Sequence, residues 1–198
     1  MSPRGKWSPF RPWKGWSEFV LQKENLIRRC AVSSNSEIAK HLAGAQLFDA
    51  FELPANPGNR SALEIYIDIM AQTPDWVNCL MAARNRAVAL FGLKNLGPLD
   101  NVDTGRKPES YRVGDRIGIF SILFLSDREV ILIESDKHLD AKVSLCKRTT
   151  GPGNSAVMTT VIHLHNFLGR AYILLVWPLH KLIVPSLLAR SARRRHNS

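Results

Sequence analysis

Apolar and polar positions in the last quarter of the chain change period once. From Val157 to Asn166 they alternate, with Met158, Ile162 and Leu164 on one face and Thr159, Val161, His163 and His165 on the other. That is the pattern of a half-buried strand. From Leu168 to Arg190 the chain reads as a long, mostly apolar helix, with Asn166 positioned to cap it. Pro178 and Pro185 are seven residues apart, so they share one side and predict a bend. A strand feeding such a helix predicts a curved sheet closed over by the helix, an arrangement that tends to enclose an apolar cavity.

The earlier pattern agrees. Ala45 to Leu53 reads as a strand with Leu47, Phe51 and Leu53 on one face and Phe48 and Ala50 on the other. Ala55–Asn59 is a turn cluster, and Ser61 with Glu64 forms a capping box for a short helix through Leu63, Tyr66, Ile67 and Met70. Thr73 is expected to cap a second helix with Pro74 in its first position, and Gly92 to end it. Asn95–Tyr111 is a polar loop, read either as a flap near an opening or as an insertion. An antiparallel meander follows: Arg116–Leu125, apolar on both faces and therefore expected to be central, then Glu129–Glu134, a turn at Ser135–Lys137, and His138–Lys147. The last places Leu139, Ala141, Val143 and Leu145 opposite His138, Asp140, Lys142, Ser144 and Cys146. The predicted class is α+β: a curved antiparallel sheet with two short helices and a long C-terminal helix.

Charge refines this picture. The net charge is +10, but residues 1–30 contribute +5, residues 190–198 contribute +4, and residues 31–189 only +1. The folded body is nearly neutral, which argues against sequence-specific nucleic-acid binding; Arg84, Asn85 and Arg86 are too few for a reading helix. Residues 1–35 read as a basic aromatic extension, 36–190 as one α+β domain, and 191–198 as a basic tail. Trp7, Trp13 and Trp16 among Lys, Arg and Pro suit weak membrane-surface contact, stacking on single-stranded nucleic acid, or a loosely ordered leader. Cys30, Cys79 and Cys146, odd in number and far apart, suit reduced thiols and a cytoplasmic location. Arg170, His180 and Lys181 interrupt the C-terminal helix, which is read as a core helix of a soluble protein rather than a span.

Several polar residues are candidates for chemistry. His163 and His165, two apart on a strand, point the same way. With His138 or Asp140 they suit acid–base work or a divalent metal, or simply form the water-facing side of the sheet. Arg84 suits a ligand carboxylate or an internal ion pair. His180 is either a polar anchor in a cavity or a side chain whose tip reaches solvent. Tyr172 and Trp177 suit a pocket wall or plain core. There is no nucleophile elbow and no cysteine in a nucleophile setting, and no metal or cofactor is assigned.

The segments PDWVNCLMAARNRAVALFGLKN, GDRIGIF, EVILIESDKHLDAKVSL and TTVIHLHNFLGRAYILLVWPLHKLIV together resemble a bacterial domain family of unknown function, over Ala45 to Ala189. The family occurs alone or fused behind NAD-binding domains of the short-chain dehydrogenase type, which implies a dehydrogenase-type protein partner. This chain has no G-x-G-x-x-G, so no dinucleotide site carries over. The element order is also similar to the helix-grip fold of the START and birch-pollen-allergen (Bet v 1-like) superfamily. That resemblance implies a non-catalytic protein binding a small apolar or lipid-like ligand between sheet and helix, with Leu139, Val143, Ile162, Leu164, Tyr172, Leu175 and Arg84 as contacts. The alternative is a cyclase, isomerase or hydrolase-like enzyme using His138, Asp140, His163 and His165.

Overall fold

Alternating apolar positions from Leu47 onward pair into one sheet, and helices cover its inner face. The computed structural model describes residues 27–54, 59–89, 97–150 and 153–196. The strands are β1 (Arg28–Arg29), β2 (Leu47–Pro54), β3 (Arg116–Ile117), β4 (Phe120–Leu125), β5 (Glu129–Ser135), β6 (Leu139–Thr150) and β7 (Gly153–Leu164). All neighbours are antiparallel, in the order β1-β2-β7-β6-β5-β4-β3. The helices are α1 (Ala62–Ala71), α2 (Asp75–Ala89) and α3 (Phe167–His196). The protein is thus α+β: among the described residues, a curved seven-stranded antiparallel sheet with three α-helices, the longest C-terminal.

The Ser61 capping box forms as the sequence predicts, its hydroxyl accepting from Glu64 N and Glu64 Oε2 accepting from Ser61 N. Thr73 does not cap α2. Its hydroxyl donates to Met70 O at 2.6 Å and closes the end of α1 instead. Asn166 does cap α3, accepting from Gly169 N at 3.0 Å. α3 runs through both prolines, each of which removes one amide donor from the helix.

Arg116–Leu125 is not central. It breaks at Gly118, whose φ of +58° suits glycine, into β3 and β4 at one margin of the sheet. β4 carries apolar side chains on both faces, and both are partly covered, with Leu123 left exposed. Ile122 packs into the main core with α1, while Phe124 joins Ile38, Ile131 and Val161 beneath Val32, Leu42 and Ala45. The segment 32–45 therefore lies on the sheet's outer face. A buried carboxylate pins it: Glu129 accepts from Glu37 N, Ile38 N and the Ser144 hydroxyl. The sheet also extends beyond residue 36 toward the N-terminus, where Arg28 pairs with Glu52 both in register and through a 2.7 Å ion pair.

The basic aromatic segment through Leu26, Phe91, Gly92 and most of the Ala55–Asn59 turn lie outside the described residues, as do Gly151 and Pro152.

Candidate functional site: a pocket under the C-terminal helix

A pocket of about 210 Å³ opens between the inner face of the sheet and the three helices. One water needs only roughly 10–15 Å³ of such space, so this is no packing flaw. The period of β6 and β7 turns Leu139, Ala141, Val143, Met158 and Ile162 into it. α1 contributes Tyr66 and Met70, α2 contributes Leu80, Met81 and Arg84, and α3 closes the far side with residues that include Tyr172, Val176 and Ile183. Nearly all of the wall is apolar. Burial holds the Tyr66 phenol well above its ordinary pKa, so it stays protonated.

Polar groups enter this wall at a few points. Arg84 Nε donates to Tyr172 Oη at 2.9 Å, and the guanidinium lies 5.3 Å from the centre of the same ring. Asp136 also lines the pocket, but its Oδ1 is engaged by His138 N and Leu139 N in the β5–β6 turn. Glu134 lies 3.9 Å from Arg116.

A further polar contact at this wall is a pair. His180 lines the pocket, stacks on Trp177 with ring centres 4.9 Å apart, and brings Nε2 within 3.2 Å of Asp49 Oδ1. A carboxylate only accepts, so in this contact the ring proton resides on Nε2. The Asp49 side chain is 1% exposed, and its Oδ2 has no hydrogen-bond partner among the described residues. Asp49 pairs in register with Thr160, which also lines the pocket. Tyr172 and His180 are eight residues apart on α3, about 12 Å along the helix by its rise.

The structure brings Leu139, Val143, Ile162, Tyr172 and Arg84 together around the pocket. It leaves out Leu164 and Leu175. Leu164 is the last residue of β7, half-buried beside its register partner Leu139, and Leu175 lies on the outer side of α3, 67% exposed. A helix that is apolar nearly all round does not announce in sequence which side faces inward.

His138, Asp140, His163 and His165 do not line the pocket. Asp140 and His163 are cross-strand partners on the outer face, because their neighbours Leu139, Ala141 and Ile162 take the inner one. His163 Nε2 meets Ala43 O at 3.2 Å, and His165 Nε2 lies 3.4 Å from Asp140 Oδ2. Asp140 Oδ1 also accepts from the Ser135 hydroxyl. His138 is buried in the turn, with Nδ1 3.0 Å from Asn166 Nδ2. These contacts tie the turn, the outer face and the α3 cap together. Among the described residues no group of three His, Cys, Asp or Glu side chains converges as a metal site.

Asp49 is the residue that sequence reasoning missed. Its signal was present: a carboxylate falls on the Leu47/Phe51/Leu53 face of a period-two strand, where an unpaired charge is costly.

No curated protein matches the chain. A family model described as a protein of unknown function, DUF2867, matches residues 41–187, a stretch that takes in the whole pocket wall and the Asp49–His180 pair. The chain belongs to the DUF2867 family.

Proposed function

We propose that this protein binds a small, lipid-like amphiphile beneath α3 without transforming it. One observation carries the reading: a pocket of about 210 Å³ whose wall is apolar except at a few fixed polar groups. Apolar area removed from water stabilises a bound ligand by roughly 25 cal/mol per Å². The Arg84–Tyr172 pair suits an acidic oxygen, and Asp49 with His180 suits a hydroxyl, so the ligand is an apolar body with oxygen at one or both ends. The order of strands and helices supports reading the architecture as a helix grip of the START and birch-pollen-allergen type. Binding of an environment-sensitive apolar dye, displaced by whatever organic solvent extracts from the purified protein, tests the proposal. A protein that takes up no dye and yields no extract would remove it.

A second reading rests on Asp49 and His180 alone. An imidazole oriented by a buried carboxylate and facing an apolar pocket is equipped for proton transfer. It predicts turnover of some extracted ligand by wild type and none by His180→Gln. Unchanged ligand after incubation with wild type argues for binding only.

A further inference from the structure

We propose that the outer side of α3 docks this protein on an anionic membrane surface, with the helix lying in the plane of the interface. The proposal does not depend on the pocket holding a ligand.

α3 has two apolar sides. One packs inward, with Ile173, Val184, Leu187 and Leu188 buried. The other is bare: Phe167 is 83% exposed, Leu174 77%, Leu175 67% and Leu182 58%. These four sit seven or eight residues apart, or adjacent, and so form one stripe, continued by exposed Ala171 and Pro178. They are half of the large hydrophobic side chains exposed among the described residues.

Charge names the occupant. The 30 residues of α3 contain six Lys or Arg and no Asp or Glu. Arg170 and Lys181, both exposed and eleven residues apart, fall along one edge of the stripe. An apolar stripe with a cationic border complements an anionic headgroup layer over hydrocarbon. The N-terminal thirty residues add a further +5 with three tryptophans, in the same sense.

Two other occupants fit less well. A second copy would set Arg170 and Lys181 of each helix against the same cations of the other, with no acidic residue on α3 to offset them. A spanning helix is permitted by length and composition, since Phe167–Arg194 contains an 18-residue window of mean hydropathy 1.6. Spanning would place Arg170 and Lys181 in hydrocarbon and strip α3 from the sheet it covers.

The test uses the full chain and extruded vesicles of phosphatidylcholine alone or with about a third phosphatidylserine. Flotation should recover at least about tenfold more protein on the anionic vesicles, with alkaline carbonate releasing it. Leu174→Ser/Leu175→Ser changes only exposed side chains, so it should keep the wild-type melting temperature and lose most of the flotation. Equal flotation of that variant would overturn the proposal, as would equal recovery on neutral vesicles. Retention through carbonate would overturn it in favour of a span. Self-association in light scattering without vesicle binding, abolished by the same variant, would overturn it in favour of a second copy.

Discussion

Asp49 on β2 and His180 on α3, 131 residues apart in sequence, meet at 3.2 Å and form a buried polar contact between the C-terminal helix and the sheet. A buried carboxylate is tolerated only where it is partnered, so this contact fixes which side of α3 faces inward at His180. A double-mutant cycle with Asp49→Ala and His180→Ala should give a coupling of about 1–2 kcal/mol in urea unfolding. Additive effects would mean that the two groups are merely adjacent.

Gly169 permits α3 to start where it does. A Cβ there would fall well inside van der Waals contact with the His138 carbonyl oxygen, which belongs to the β5–β6 turn backbone and cannot swing away. Alanine is the better helix former by about 1 kcal/mol, but overpacking against backbone typically costs about 1–3 kcal/mol. The clash is expected to win, so Gly169→Ala should lower the urea midpoint, with local exchange protection lost in the turn. An unchanged or raised midpoint would show that the helix start relaxes freely.

Glu129 holds the segment 32–45 on the outer face through two backbone amides and Ser144. Glu129→Ala removes the acceptor from three donors, two of them backbone, and is expected to cost about 2–4 kcal/mol. Limited proteolysis should then cut first between residues 32 and 45, before the sheet. Cleavage beginning elsewhere would place the weak point outside this anchor.

His41 gives the outer face a pH dependence. Burial, then Lys142 and His163, hold its imidazole below the ordinary value. Protons bind the unfolded chain more readily in that range, so stability rises with pH there. The contribution is complete above about pH 6.5, the unfolded value, and is lost as pH falls through the folded one. Denaturation midpoints of wild type should drop between neutrality and pH 5, and His41→Gln should flatten that drop. An identical slope in both proteins would assign the effect to other groups.

Much of the fold was legible because period carries direct information. β6 alternates cleanly from Leu139 to Leu145 and β7 less so, and their inner residues Leu139, Val143 and Ile162 reach the pocket as the pattern implies. The capping box at Ser61 and the Asn166 cap follow from local chemistry alone. Strand order was not legible: an apolar run such as Phe120–Leu125 looks the same whether a neighbouring strand or a covering loop buries its second face. That segment, Val32–Ala45, carries no clear period and begins within the stretch read as an extension, and its place is set by residues far along the chain: Phe124, Ile131 and Val161 pack on it, and Glu129, held by Ser144, accepts from its amides. Alternation also sets Asp140 and His163 opposite Leu139, Ala141 and Ile162, away from the pocket, in line with one of the readings the sequence left open for them. On α3, with large apolar side chains on both sides, the inward orientation of Tyr172 and the outward one of Leu175 depend on the Asp49–His180 contact and the Gly169 approach.

The central claim is that the space beneath α3 holds a small molecule. Native mass spectrometry of gently purified wild type beside Ala141→Phe tests it most directly, because Ala141 lines the pocket and a phenyl ring there fills it. Wild type should carry a defined extra mass that solvent extraction removes, and the filled variant, folded by circular dichroism, should carry none. Wild type at its bare sequence mass, or the same extra mass on both proteins, would contradict the account.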